Sequence, residues 1–528
     1  MSKLFAALLL RSCLVALSCL STLPALADEP ARKPDAAPEV LPYVPPKDAS
    51  SEGSVTIGGK AIAYQAVAGT LQVSEKDKED LEAKDVKEAP QASLAYVAYF
   101  RRGADTAKRP VMFLYNGGPG SASLWLHMGG FGPVRVQTGN DKHTAPAPYQ
   151  LVNNEYSLLD AADLVFIDAP GTGFSRIQGK DKEKAFYGVD ADARTFARFI
   201  NQFLVKYGRW NSPKYLFGES YGTTRSAVLV QLLQAEHNID VNGVILLSQV
   251  LDFDQSADIP QLNPGHELAY ALALPTYAAT AWYHKTLPQQ PAELEPFLAE
   301  VSRFAEGDYL RALIAGPDLP AAEQRAMAER LHGYTGLPVE YIEKANLRIN
   351  GGGFSQHAQD ARGLTTGRFD TRFAGTSVDR LDKEAFYDPA DTAIGPAYVA
   401  AYNEYVRKTL KFGDGQAFKP VIDLWRSWDY RHRTPFMDFA GPTNVMPDLA
   451  LAMKRNPHLK VLNLAGYYDL ATPYAAARYE LRHLPIPPEL RGNIQSIAYP
   501  AGHMIYVHLP SLKKLHEDVS GFVEKTRG

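Results

Sequence analysis

A chain of 528 residues with 45% apolar content, 22% charged content and a formal net charge of −4 has the composition of an ordinary globular protein with a large core. The near balance of charge leaves no basic excess to meet phosphates, so nucleic acid is not an expected partner. Both cysteines, Cys13 and Cys19, fall in the first twenty residues, so the rest of the chain offers neither disulfides nor thiol chemistry.

The N-terminus reads as an export signal. Lys3 precedes an apolar run from Leu4 to Leu20, and Pro24 precedes Ala25-Leu26-Ala27, a small-residue cleavage pattern. Arg11 divides the run into halves too short to cross a bilayer, which takes about 20 residues. Cleavage after Ala27 and a periplasmic or extracellular destination are expected, with lipidation of Cys19 the lesser alternative. No integral membrane segment is expected after signal removal. Residues 28–54, rich in Pro, Ala and Ser, read as a linker or extended arm. The charged run from Glu75 to Glu88 reads as a solvated loop or strand rim.

Short apolar runs then end in glycine-rich turns. Val111 to Tyr115 enters Asn116-Gly-Gly-Pro-Gly120, Leu164 to Ile167 enters Asp168-Ala-Pro-Gly-Thr-Gly173, and Tyr215 to Phe217 enters Gly218-Glu-Ser-Tyr-Gly222. Each predicts a buried strand. Helical periodicity covers Val189 to Tyr207 and Thr223 to Ala235, and Val244 to Leu247 predicts another strand. This alternation implies an α/β fold with a mostly parallel, doubly wound sheet covered on both faces. From 252 to 439 the alternation stops and helical stretches dominate, such as Pro291 to Phe304 and Ala321 to Leu331. We read one sheet domain (55–251 and 440–528) interrupted by a mainly helical cap (252–439). Gly351-Gly352-Gly353 lacks the Lys-Ser/Thr of a phosphate loop and reads as a plain loop. Strands return at Val461 to Leu464 and Ile497 to Tyr499, and a helix is expected from Pro510 to Glu524.

Gly218-Glu219-Ser220-Tyr221-Gly222 matches the G-x-S-x-G nucleophile elbow, whose flanking glycines permit a very tight strand-to-helix turn. In α/β-hydrolases the order is Ser, then an acid, then His. Asp469 and His503 each follow a predicted strand, where such sheets bind ligands. His503 would take the proton of Ser220, and Asp469 would orient the imidazole. His508 and His516 fall in or beside the last helix and are poorer candidates. The Tyr221 N–H would be one oxyanion donor, and the loop Asn116–Gly120 would supply the second.

Together, Asn116-Gly-Gly-Pro-Gly120, Asp168-Ala-Pro-Gly-Thr-Gly-Phe-Ser175, the Ser220 elbow, Asp469 and Gly502-His-Met504 resemble the serine carboxypeptidases, in the family's order. The resemblance implies Ser220, Asp469 and His503 as the triad, and Gly118 and Tyr221 as oxyanion donors. It implies that Asn116 and Glu219 bind the carboxylate of a peptide with a free C-terminus, with an acidic optimum because Glu219 must be protonated to donate. Four positions depart from the family pattern: Leu114 replaces a Trp, Gly130 replaces a Glu, and Ile505 and Tyr506 turn Met-Val-Pro into Met504-Ile-Tyr506. The same triad would serve an esterase or acyltransferase, and an inactive hydrolase fold kept as a binding module is the third alternative. Neither a His-Glu-x-x-His nor a Cys-x-x-Cys spacing occurs, so neither metal nor cofactor is expected.

Overall fold

The computed structural model describes residues 43–74 and 89–528. The leader, Cys19, most of the 28–54 segment and the charged run 75–88 lie outside the described residues. Residues 44–528 form one compact unit.

Its frame is a sheet of β1 (Ala49–Ile57), β2 (Lys60–Ser74), β3 (Gln91–Arg101), β4 (Val111–Tyr115), β5 (Asp163–Ile167), β6 (Lys214–Glu219), β7 (Gly243–Leu247), β8 (Lys460–Gly466) and β9 (Ile494–Tyr499). In space the strands run β1-β2-β3-β5-β4-β6-β7-β8-β9, and the short strand Arg176–Gln178 pairs with β3. From β5 to β9 every neighbouring pair is parallel. The strands β1 to β3 are antiparallel to one another, and β3 is antiparallel to β5. This is the mostly parallel sheet of an α/β-hydrolase.

The antiparallel wing corrects one boundary. Residues 49–54 belong to β1 and not to a linker. Ile57 pairs with Lys60 across Gly58-Gly59, both at positive φ. Only glycine takes that conformation freely, and the two-residue turn matches the strand twist. Burial in β2 alternates from Ala61 to Ala66, the mark of a strand with one face in water.

The parallel strands lack that alternation because both faces are covered. Val111, Phe113, Leu216, Val244 and Val461 share one core with α1 (Val189–Tyr207) and α2 (Tyr221–Glu236). Met112, Leu114, Phe217, Ile245 and Leu462 share the other with buried residues of two helices distant in sequence. These are α6 (Pro389–Lys408) and α9 (Leu509–Thr526). Helix α6 thus lies within the expected insertion yet packs against the sheet. A third core unites α3 (Leu268–His284), α4 (Leu294–Phe304) and α5 (Ala321–Thr335) with Ala465, Tyr468 and Leu470 at the end of β8. The sequence 351–357 is a short helix and not a plain loop, because the Asn350 side chain accepts from the Gly353 N–H at 2.7 Å and caps it. After α6, residues 409–445 contain neither helix nor paired strand and form an extended strap. The strap leads into α7 (Met446–Arg455), and α8 (Tyr474–Arg482) follows β8.

Candidate active site

Ser220 sits between β6 and α2 with φ 60 and ψ −130. A non-glycine residue holds such an angle only where its surroundings enforce it. The Ser220 N–H donates to the Leu247 carbonyl at 2.9 Å. A Cβ on Gly218 would collide with the Gly222 carbonyl, and one on Gly222 would lie 2.9 Å from the Tyr115 carbonyl. The elbow therefore needs both glycines for close approach.

The loop after β4 comes against this turn. A Cβ on Gly117 would lie 2.5 Å from the Tyr221 nitrogen, so the two backbones touch there. Tyr221 is the first residue of α2, and its N–H has no acceptor within the helix. Gly118 follows with φ +107. Arg225, one turn after Ser220, donates Nη1 to the Asn116 carbonyl at 2.9 Å and Nε to Asp192 at 2.6 Å, and is fully buried. It ties the loop after β4 to helices α1 and α2.

Asp469 and His503 leave the C-terminal ends of β8 and β9. Nδ1 of His503 lies 2.8 Å from Oδ2 of the wholly buried Asp469. Thr472 donates its hydroxyl to the same oxygen at 2.7 Å and its N–H to Oδ1 at 3.0 Å. With Nδ1 donating, Nε2 is left as the acceptor. Burial lowers the affinity of His503 for a proton, but the Asp469 carboxylate more than offsets it, and the histidine's pKa is raised above its ordinary value. Phe369 stacks on the imidazole at 5.1 Å, and its carbonyl accepts the His503 N–H at 2.6 Å. Ser220 and His503 line one cavity of about 400 Å³ with Asn116, Gly118 and Glu219. Ser220, Gly118 and Tyr221 also line a larger chamber of about 1140 Å³, with residues 421–425 of the strap. His508 and His516 lie apart from this cavity, bonded to Ser511 and Asp160.

Glu219 is buried in the wall of the smaller cavity, and its oxygens accept from the Asn116 amide at 2.8 Å and the Tyr506 hydroxyl at 2.9 and 3.1 Å. Among the described residues no Lys or Arg pairs with it. Burial pushes its pKa up to about 7, against the smaller opposing effects of His503, Tyr506 and Asn116. The Asn116 carbonyl oxygen of the side chain accepts from Leu126 N–H at 3.1 Å, which fixes the amide's orientation.

Three contributors escaped sequence reasoning. Arg368, from the 252–439 segment, lines both cavities and is paired through Nε and Nη2 with Asp258 at 2.6 Å each. Phe369 beside it supports His503. Tyr506 stands where the family pattern has proline, and a Cβ on Gly130 would lie 3.5 Å from its ring. Two departures from the family pattern are thus in contact, with Tyr506 bonded to Glu219. The only sequence signal was that both departures occur in one chain.

Residues 83–270 match the family model for peptidase S10, serine carboxypeptidase. This segment carries the Asn116, Asp168 and Ser220 blocks. The chain is 31% identical over 136 residues to the pheromone-processing carboxypeptidase KEX1 of Phytophthora infestans, covering 23% of this chain and 20% of that protein. It is 28% identical over 166 residues to serine carboxypeptidase 1 of Hordeum vulgare, covering 30% and 32%. The matched segments thus span a fifth to a third of these relatives' lengths. Among solved structures, proline iminopeptidase of Mycobacterium smegmatis aligns over 90% of this chain and 99% of that one, with a TM-score of 0.32 and 14% identity. The resemblance to the serine carboxypeptidases is borne out.

Proposed function

We propose that this chain removes C-terminal residues from peptides by acyl-enzyme chemistry on Ser220, His503 and Asp469. His503 Nε2 takes the Ser220 proton as Oγ attacks the scissile carbonyl, and Asp469 stabilises the imidazolium. The N–H groups of Gly118 and Tyr221 hold the oxyanion. His503 then protonates the leaving amine, and water repeats the sequence on the acyl-enzyme. The leaving residue occupies the 400 Å³ cavity, and the acyl part occupies the 1140 Å³ chamber. Segment 252–439 supplies much of the wall that keeps water out. The leader places the reaction outside the cytoplasm.

The observation that carries this reading is Glu219. A carboxyl group buried beside the nucleophile without a cation costs stability unless it stays protonated or meets a proton donor. With a pKa of about 7 it is protonated in mildly acidic water and donates to a substrate carboxylate. A substrate without a free carboxylate makes no use of that donor.

The test is mass spectrometry of peptide digests, with free-acid and amidated forms of one peptide. Stepwise loss from the free C-terminus is expected, with the amide resistant. Organophosphonate should label Ser220, and Ser220→Ala should lower kcat on the order of 10⁶-fold with the fold intact. Turnover of esters alone would favour the esterase or acyltransferase reading. Absence of any label on Ser220 would favour an inactive binding module.

A further inference from the structure

The 409–445 strap forms the outer wall of the acyl-side chamber and is held by scattered backbone bonds rather than by continuous strand pairing. Its ends are tied down. Lys419 and Gly173 exchange N–H donations at 3.0 and 2.7 Å, the Ile422 N–H donates to the Gly120 carbonyl at 2.9 Å, and the Val445 N–H donates to Leu251 at 2.8 Å. Between these ends, Val421, Leu424, Trp425 and Tyr430 face the chamber, across from Ser220. Trp428 also packs edge-on against Tyr221 at 5.2 Å, the residue whose N–H we assign to the oxyanion.

The middle of the strap is held at Asp429, whose N–H donates to the Tyr187 carbonyl at 3.2 Å and whose carbonyl accepts from the Val189 N–H at 3.1 Å, and by one side chain beyond it. His432 is buried, with Nδ1 2.6 Å from Oδ1 of Asp190 in α1 and Nε2 2.8 Å from Oδ2 of Asp448 in α7. Both ring nitrogens therefore face carboxylates, an arrangement in which an imidazolium donates twice. The neighbouring charges do not compete. Arg431 is paired with Asp429, and the Arg433 backbone N–H donates to the second oxygen of Asp190. His432 and Gly441 exchange backbone N–H donations at 2.9 Å each, so the latch also closes the strap's outer loop.

Resting on the acyl-enzyme reading above, we infer that His432 is a positioning residue for the acyl half of the substrate: its ion pairs with Asp190 and Asp448 hold the aromatic strap as the chamber wall. The latch sets selectivity for large apolar acyl groups, which alone reach the strap. Small acyl groups sit at Ser220 without touching it.

The two carboxylates outweigh burial and raise the pKa of His432 to about 9. A group raised in the folded state stabilises it fully below its unfolded value, near 6.5, and loses that contribution as pH rises through the folded value. The strap is thus latched at neutral pH and released near pH 9.

The test uses active-site-titrated whole protein and a pair of esters with one leaving group, the acyl part ending in phenylalanine or in glycine. Esters need no carboxylate grip, so they report on the chamber even if peptide C-termini are not the substrate. In wild type, KM for the phenylalanyl ester should rise at least fivefold between pH 7.5 and 10, with KM for the glycyl ester changing less than twofold. His432→Gln should show the raised phenylalanyl KM already at pH 7.5 and lose the pH dependence, with glycyl kcat retained. His432→Arg, which restores a cation, should recover part of the selectivity. Equal pH responses of the two esters, or unchanged phenylalanyl KM in His432→Gln, would overturn the inference. If His432→Gln does not fold, wild-type tryptophan fluorescence decides. A transition near pH 9 that Trp428→Phe abolishes supports the latch, and a flat profile from pH 7 to 10 refutes it. Failure of both esters to turn over, with Ser220 unlabelled, would sink the hydrolase reading, and the fluorescence transition would still judge the latch.

Discussion

Replacing Glu219 by glutamine separates a carboxylate grip from a general acid preference. On the proposed carboxylate grip, substrate binding requires protonated Glu219, whose pKa is about 7. For a single controlling group, KM should then roughly double at pH 7, rise about tenfold by pH 8 and about a hundredfold by pH 9, since each unit is a factor of ten. His503 acts in the opposite sense. Its pKa is raised above the usual histidine value, and only its neutral form is a base, so kcat should fall in acid. The product is a bell-shaped kcat/KM, with its acid limb from His503 and its alkaline limb from Glu219. In Glu219→Gln the amide oxygen takes the position of Oε2, which accepts from Asn116 at 2.8 Å and Tyr506 at 2.9 Å. The amide nitrogen takes the position of Oε1 and donates to the substrate at every pH. KM of the variant should stay within a few-fold of the wild-type acid value from pH 5 to 9. The assay is steady-state KM against pH for a free-acid peptide and its amide, in both proteins. An alkaline rise that survives in Glu219→Gln, or one that appears equally for the amide, would refute the reasoning.

Tyr506→Phe removes a hydrogen bond that lowers the pKa of Glu219, so the KM rise should move to higher pH; a move to lower pH would contradict the geometry. Gly117→Ala places a methyl 2.5 Å from the Tyr221 nitrogen, and kcat should fall by roughly 10²–10³, the effect of losing one oxyanion donor, while organophosphonate labelling of Ser220 slows in parallel. Asp163 accepts from Arg109 at 2.7 Å and Arg209 at 2.6 Å, with all three buried; Asp163→Asn leaves two buried cations without a counter-charge and should cost about 3–5 kcal/mol in urea unfolding, without altering the pH profile of KM.

Much of the frame around the candidate site was legible because it is local in sequence. The run Val111 to Tyr115 and the helix from Val189 to Tyr207 stand where their periodicity put them. The turn at Ser220 announces itself through glycines that its geometry requires. The hairpin at Gly58-Gly59 is equally local, with alternation on both sides, but the Pro, Ala and Ser of the preceding segment mask where its first strand begins. Helices α3 and α6 carried weaker signals. Helix α3 is buried along most of its length and shows no polar face, whereas α6 is buried on one face and exposes Asp391, Thr392, Glu404 and Lys408 on the other; each contains an internal proline.

What only the tertiary structure decided lies in contacts between distant segments. Asp190, His432 and Asp448 are three ordinary polar residues in sequence; only the packing of α1 and α7 against the strap brings both carboxylates onto one imidazole. Arg368 reaches the cavity from the interior of the insertion, and Tyr506 meets Gly130 and Glu219 from the far end of the chain. The sequence by itself determined the glycine-flanked turn at Ser220 and the order of Ser220, Asp469 and His503, because bond geometry restricts which residues make such turns. Burial raised the pKa of Glu219 and the paired carboxylates held His432 charged. Those effects depend on distance and exclusion of water, which exist only once the chain has folded.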